Sequence, residues 1–292
     1  MSDMLWRGTA WDDQFRVLAV ESTATVQAAR DLHDLSPLAT ILMGQMVSAV
    51  ALLSLDLKVP ASDVSLKVSS NGILSGGMVI CTQDGHVRGF LDQPHVFLEN
   101  APDNYSIARN LGQGTLSVIK KYPARSPWIG TIALEPGEIA ENVARYYRDS
   151  EQIPTLVNLG VLFDREAQIR AAGGFVVQQL PAADPRIVDN VLKNLNATPN
   201  ISDLMDMGMG VSDILCNFIF KGGQLSLNEA GNLFYKCNCS RERFSDALKL
   251  LGKDELSSLT DGIAPECHFC GKIYDFTTED IKELIGSMDN PK

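Results

Sequence analysis

Two rhythms of apolar residues divide this chain. Short alternating or β-branched runs predict strands at residues 15–20, 64–68, 78–82, 86–90, 115–119 and 129–134. Residues 167–178 read as one more strand, broken at Gly173-Gly174. Glycines at 72, 76, 77, 85 and 89 punctuate the middle set as turns or bulges. The longer rhythm predicts helices over 23–35, 37–55 and 138–148, the last with Ile139, Val143 and Tyr146 or Tyr147 on one side. Residues 38–55 carry no charge, and eighteen such residues are the lower limit for a membrane span. However, Thr40, Gln45, Ser48 and Ser54 interrupt the run, and no Lys or Arg cluster flanks it. With Ser36-Pro37 as N-cap and first-turn pair, the stretch reads as a buried core helix.

The pattern changes at residues 180–185. Asp184-Pro185 starts a helix whose one face carries Ile187, Val188, Val191, Leu192 and Leu195, and Thr198-Pro199-Asn200 ends it. Next come Met205, Met207 and Met209 among Gly208 and Gly210, which combine flexible thioethers with helix-weakening glycines. Residues 211–220 are apolar again, and Lys221-Gly222-Gly223 closes the segment. Residues 179–231 are thus read as a metastable helical linker that needs a surface to pack on, with two further core helices as the alternative. The expected fold is α+β. It has a mixed α/β N-terminal core over 1–178, the helical linker, and a small C-terminal module over 232–292 that is too short to bury much apolar area without a staple.

Composition narrows the function. The 292 residues are 45% hydrophobic and 21% charged, with a net charge of −11 and no long basic run. Such a surface repels phosphate backbones and anionic lipid, so neither nucleic acid nor membrane is expected as a partner. The N-terminus lacks the pattern of a signal peptide, and a cytoplasmic protein is expected. His33, His86 and His95 are scattered and nominate no nucleophile. The glycines of residues 71–77 and 112–115 lack the Lys-Ser/Thr of a P-loop, so no enzyme is expected.

The chemistry lies in the cysteines. Cys81 and Cys216 stand alone in apolar surroundings and read as inert core thiols. Cys237 and Cys239 form a C-x-C pair whose sulfurs would share one face of an extended strand. Cys267 and Cys270 form a C-x-x-C turn backed by Gly271. The twenty-seven residues between the pairs, 240–266, hold a helix capped by Ser240 and ended by Gly252. Four thiolates so placed suit tetrahedral zinc at about 2.3 Å, favoured over an iron–sulfur cluster for a small two-pair module. Such a site supplies about 10–16 kcal/mol of apparent binding energy, which is folding energy for the module. His268 then reads as a partly exposed loop residue. Neighbouring thiols can also close into local disulfides under oxidant, which would withdraw the ligands and loosen the module.

The full pattern resembles the thirty-three-kilodalton heat-shock protein family of redox-regulated chaperones. Residues 234–243, FYKCNCSRER, and Glu266-Cys267-His268-Phe269-Cys270 look like its two zinc-binding blocks. Residues 150–155, SEQIPT, and Gly173-Gly174-Phe175 followed by residues 178–181, QQLP, look like its body signatures. The resemblance implies a cytoplasmic, ATP-independent holdase that is inactive when reduced and zinc-bound. It implies that oxidation pairs Cys237 with Cys239 and Cys267 with Cys270, releases one zinc per chain, unfolds module and linker, and exposes a surface for unfolding client proteins. A homodimer is implied for the active form. Met205, Met207, Met209, Ile214, Phe218 and Phe220 are the client-binding candidates, since thioethers repack around varied partners. A thiol oxidoreductase using Cys267 and Cys270, or a zinc ribbon on nucleic acid, are the competing readings.

Overall fold

In the computed structural model, which describes residues 3–98 and 106–289, ten strands hydrogen-bond into one sheet of order β7-β6-β3-β4-β5-β10-β1-β2-β9-β8. They are β1 Asp3–Ala10, β2 Phe15–Glu21, β3 Asp63–Ser70, β4 Gly76–Thr82, β5 His86–Leu91 and β6 Gly114–Lys121. The set is completed by β7 Trp128–Ala133, β8 Thr155–Phe163, β9 Ile169–Gln179 and β10 Leu225–Tyr235. Helices α1 Thr23–His33, α2 Pro37–Ser54, α3 Ile107–Asn110 and α4 Ile139–Tyr146 accompany this sheet, as do α5 Pro185–Ala197, α6 Ile201–Asp206 and α7 Val211–Ile214. The chain divides into two compact units, Met1–Lys236 and Cys237–Lys292, and the sheet lies in the first.

The predicted core helix is α2, and it sits inside the first unit with every residue from Leu38 to Leu53 except Ile41 buried. It is long and apolar enough to cross a membrane, yet 89% of it is buried within the fold. The polar residues that interrupt it are each satisfied, as burial demands. Thr40 Oγ1 donates to Ser36 O at 2.9 Å, Ser48 Oγ meets Ser22 Oγ at 2.8 Å, and Ser54 Oγ donates to Ala51 O at 2.7 Å. Gln45 accepts from the backbone N–H of Ile139, the first residue of α4, at 3.2 Å. Ser36 occupies the N-cap position as expected, but its Oγ accepts from Val96 N at 3.0 Å instead of capping the helix.

β2 and β9 are covered on both faces, which is why they read as nearly continuous apolar runs. Leu18, Val20, Ala172 and Val176 join the α2 core, while Val17, Ala19, Phe175 and Val177 face the opposite way. That second face carries α5, α6 and α7 through Val191, Ile201, Leu204, Val211 and Ile214, and the turn after α7 through Leu215, Ile219 and Phe220. β9 is not broken at Gly173-Gly174. Gly174 pairs with Val20 and Leu159, and Gly173 with Glu21 and Gly160. Gly173 of β9 and Gly160 of β8 face α6: a Cβ on Gly160 would lie 2.7 Å from Ile201, and one on Gly173 would lie 3.0 Å from Met205 Cε. Gly174 instead lies against Asn158 and Leu159 of β8.

The tip between β1 and β2 holds both ends of the 180–224 stretch. Trp11, Asp12 and Asp13 all have left-handed backbone, with φ of 52°, 49° and 61°. Gln14 O accepts from Leu180 N at 2.9 Å, and Gln14 Oε1 accepts from Asp184 N at 2.8 Å. Trp11 N donates to Gln224 O at 2.8 Å, and its indole lies so close to Gly223 that a Cβ there would be 2.2 Å from the ring. Further along, Arg170 pairs with Asp206 at 2.8 Å and Glu21 Oε1 accepts from Val211 N at 3.0 Å.

Further details depart from the sequence pattern, which announces neither β1 nor β8. A π-helical turn, Tyr147–Glu151, follows α4 and widens the backbone so that Tyr146 and Tyr147 are both buried. It also delivers Glu151 to Lys120 at 2.7 Å and to the Tyr146 hydroxyl at 2.6 Å. β10, which the pattern does not announce, joins the two halves of the sheet. It runs antiparallel to β1 from Leu225 to Leu233, and its last residues Phe234 and Tyr235 pair in parallel with His86 and Val87 of β5. Tyr235 fixes that junction, its hydroxyl donating to Gly89 O at 2.8 Å and meeting His33 Nε2 at 2.9 Å.

Candidate metal centre

The second unit is built on helices α8 Arg241–Lys249, α9 Lys253–Ser258 and α10 Thr278–Asp289. Its apolar centre is small, with Leu248, Leu256, Tyr274, Phe276 and Ile281 buried. Ser240 caps α8 as predicted, accepting from Arg243 N at 3.3 Å. Gly252, with φ of 88°, is the residue before α9, so the stretch between the cysteine pairs holds two helices rather than one.

Cys237 and Cys239 do not lie on a strand. β10 ends at Tyr235, and both cysteines occupy the irregular segment between it and α8. The second pair sits at the tip of a narrow hairpin closed by the antiparallel bridges Ile263–Phe276 and Glu266–Ile273. Cys267 N donates to Lys272 O at 2.9 Å, while Cys270 N and Gly271 N both donate to Cys267 O, at 3.1 and 2.7 Å. Gly271 has φ of 67°, the left-handed turn its missing side chain allows.

These two segments bring all four sulfurs within 4.8 Å of one another. Cys237 Sγ lies 3.7 Å from Cys267 Sγ, and Cys239 Sγ lies 3.4 Å from Cys270 Sγ. A tetrahedron with metal–sulfur bonds of about 2.3 Å has edges of about 3.8 Å, so the cluster fits one thiophilic ion. The thiols are unequal. Burial pushes Cys237 up to about 12 and Cys270 upward. Burial also works upward on Cys239, but donation from the Tyr274 hydroxyl at 3.1 Å and from the neighbouring thiols outweighs it and brings this thiol down to about 7. One sulfur, that of Cys239, is therefore the readiest thiolate, while burial holds Cys237 and Cys270 toward the protonated thiol, which a cation placed among them would reverse.

Tyr274 was not anticipated as a partner of the cluster. Its signal is the alternation of Tyr274 and Phe276 on the return limb of the hairpin, where the Tyr274 ring packs 4.8 Å from Phe244 of α8. His268 is exposed, as read from the sequence. Cys81 is buried and pushed up to about 12 by burial, which makes it the inert thiol expected. Cys216 is exposed, contrary to expectation, because a π-helical turn at Leu215–Ile219 directs Leu215 and Ile219 inward and leaves Cys216 outside. Of the client-binding candidates, Ile214 and Phe220 are fully buried against the sheet, Met205, Met209 and Phe218 are half-buried there, and Met207 is 75% exposed.

Comparison with known proteins bears on both units. The family model described as Hsp33 protein matches residues 3–277. The chain is 37% identical over 291 residues to a 33 kDa chaperonin of Clostridium perfringens, covering 98% of this chain and 92% of that protein. It is 37% identical over 292 residues to the 33 kDa chaperonin of Clostridium beijerinckii, covering 98% and 99%. The crystal structure of a 33 kDa chaperonin, a heat shock protein 33 homologue from Thermotoga maritima, superposes with a TM-score of 0.87 at 30% identity, covering 99% of this chain and all of that one.

Proposed function

The chain belongs to the Hsp33 family of chaperones, and from that premise we propose that it is a redox-regulated, ATP-independent holdase of the cytoplasm. The observation that carries this reading is the cluster of four free thiols within 4.8 Å of one another in a unit whose apolar core has five buried members among the described residues. Cys237, Cys239, Cys267 and Cys270 are the residues that would hold zinc, which when bound supplies the folding energy that this core lacks.

The switch follows from thiol chemistry. A peroxide takes two electrons and two protons from Cys237 and Cys239, which join as a disulfide while the peroxide leaves as two waters. A second equivalent joins Cys267 and Cys270 in the same way. Each closure withdraws two of the four ligands, and the second unit loses its staple. In the chain, Cys237 follows Tyr235 by two residues, so disorder of the second unit reaches the junction that ends β10. The segment 179–231 is the proposed linker. Its release would uncover the face of β2 and β9 that carries Phe15, Val17, Phe175 and Val177, together with the apolar sides of α5 to α7. Met205, Met207, Met209, Ile214, Phe218 and Phe220 are the proposed contacts to unfolding clients, with a homodimer as the active form. The net charge of −11 speaks against nucleic acid and anionic lipid as partners.

The test follows zinc release with a chromogenic indicator while light scattering reports a thermally unfolding client, as reduced protein is exposed to peroxide or hypochlorite. Loss of about one zinc per chain as protection appears, and recovery of the zinc-binding thiols on reduction, is the expected result. Zinc loss without protection would reduce the cysteines to a structural clasp.

A further inference from the structure

The four cysteines are not the only oxidisable sulfur in a controlling position. Met205 lies on α6, and its thioether rests on the backbone of β9 where Gly173 leaves room for it. A Cβ at Gly173 would be 3.0 Å from Met205 Cε and 3.2 Å from its Sδ. The same side chain lines an open groove of about 660 Å³ shared with Met209, Gly208, Gly210, Gln27 and Arg170. Oxidant dissolved in water therefore reaches the sulfur from the groove, whereas Met43 and Met46 in the α2 core are fully buried.

We propose that Met205 is an oxidation site, at which conversion of the thioether to the sulfoxide unseats α6 from β9 and loosens the 179–231 segment without any change in the cysteines. In the net reaction hypochlorous acid transfers its oxygen to Sδ. Sulfur loses two electrons, the oxygen–chlorine bond breaks, and chloride and a proton leave. The product is larger, polar and stiffer at that position, and the thioether already lies 3.0–3.2 Å from where a Cβ on Gly173 would stand, so the seat is tight. The sulfoxide oxygen needs hydrogen-bond donors that the apolar side of α6 does not offer, so the side chain swings into the groove. α6 then loses the contact that holds it on the strand. Met207, 75% exposed, takes the same oxygen without structural consequence. The chemistry is reversible by a methionine sulfoxide reductase and is untouched by thiol reductants. The expected gain in client binding rests on the holdase reading, but the release of α6 does not.

The experiment uses full-length, zinc-loaded protein in two arms. One receives a thiol-specific oxidant. The other receives hypochlorous acid and is then returned to four thiols and zinc with a thiol reductant. Peptide mass locates added oxygen, hydrogen exchange reports α6, and light scattering reports protection of an unfolding client. After the second arm, Met205 carries one oxygen, and α6 amides exchange faster by about tenfold, equivalent to about 1.4 kcal/mol of lost packing on the strand. Part of the client protection persists until the reductase removes it. Met205→Leu, which keeps the volume but cannot be oxidised, shows no such persistent change relative to its own untreated state, and Met207→Leu still does. The proposal fails if Met205 sulfoxide forms with α6 exchange unchanged, or if Met205 stays unoxidised while Met207 is converted. Failure of the holdase reading is separate: it shows as no client protection in the thiol-specific arm, while mass and exchange still decide the methionine site.

Discussion

Gly223→Ala tests whether the β1–β2 tip restrains the linker. The added methyl would lie 2.2 Å from Trp11 Cε2 and 2.4 Å from its Nε1, so the indole must move. It cannot move freely, because Trp11 holds a left-handed backbone and its N–H is bonded to Gln224 O. Overpacking of this kind costs about 1–3 kcal/mol, which favours the released linker by about fivefold to about 150-fold. Hydrogen exchange of reduced, zinc-loaded protein should show α5, α6 and α7 opening more often by a factor in that range, with α2, β3 and β4 unchanged. The same protein should protect a client partially before any oxidant is added. Trp11→Ala removes the ring, so the double substitution should cost less than the sum of the two singles. Exchange unchanged in the linker, exchange faster throughout the α2 core, or strict additivity would each refute the restraint.

Cys267→Ser should abolish stoichiometric zinc binding and, with it, the near-ultraviolet dichroism of the Phe244–Tyr274 pair. Metal analysis and circular dichroism read both, and a chelator should give the same spectrum with the natural sequence. Ser240→Ala removes the α8 cap beside Cys239 and should cost about 1 kcal/mol, weakening zinc affinity about fivefold in a competition titration. Burial alone would raise Glu151, but Lys120 and the Tyr146 hydroxyl hold its carboxyl below the usual range. Its contribution is therefore full above the unfolded value of about 4.3 and is lost as pH falls through the lower folded value. Glu151→Gln should flatten that acid limb in urea unfolding curves and, by leaving Lys120 unpaired, destabilise the first unit by about 3 kcal/mol at neutral pH.

What the sequence revealed tracks how each element is stabilised. α2, the strands of the β3 to β7 half, and the Asp184-Pro185 helix start were all legible, because burial on one or two faces leaves its period in the sequence. β10 was not. It is held by backbone bonds to β1 and stays largely exposed, so its residues 228–232, NEAGN, read as turn. Gly173-Gly174 looks like a break in the sequence because the partner that Gly173 admits, α6, comes some thirty residues later in the chain. Cys216 was misplaced because a π-helical turn shifts the periodicity by a residue, which no three-to-four-residue pattern foresees. At the candidate metal centre the spacing was sufficient to name four sulfurs, but not the Tyr274 hydroxyl that distinguishes Cys239 from the rest.

The place of β10 between β1 and β5 has a consequence for how the protein is made. β1 waits for its second partner, more than two hundred residues downstream, for an interval of about 10–40 s at ordinary rates of synthesis. Until residues 225–235 emerge, β1 and β5 each present an unpaired edge, the feature that makes nascent chains stick to one another. A chaperone of this architecture is therefore itself a demanding client during its own synthesis. A circular permutant that begins with β10 would synthesise that strand ahead of β1 and so shorten the exposure.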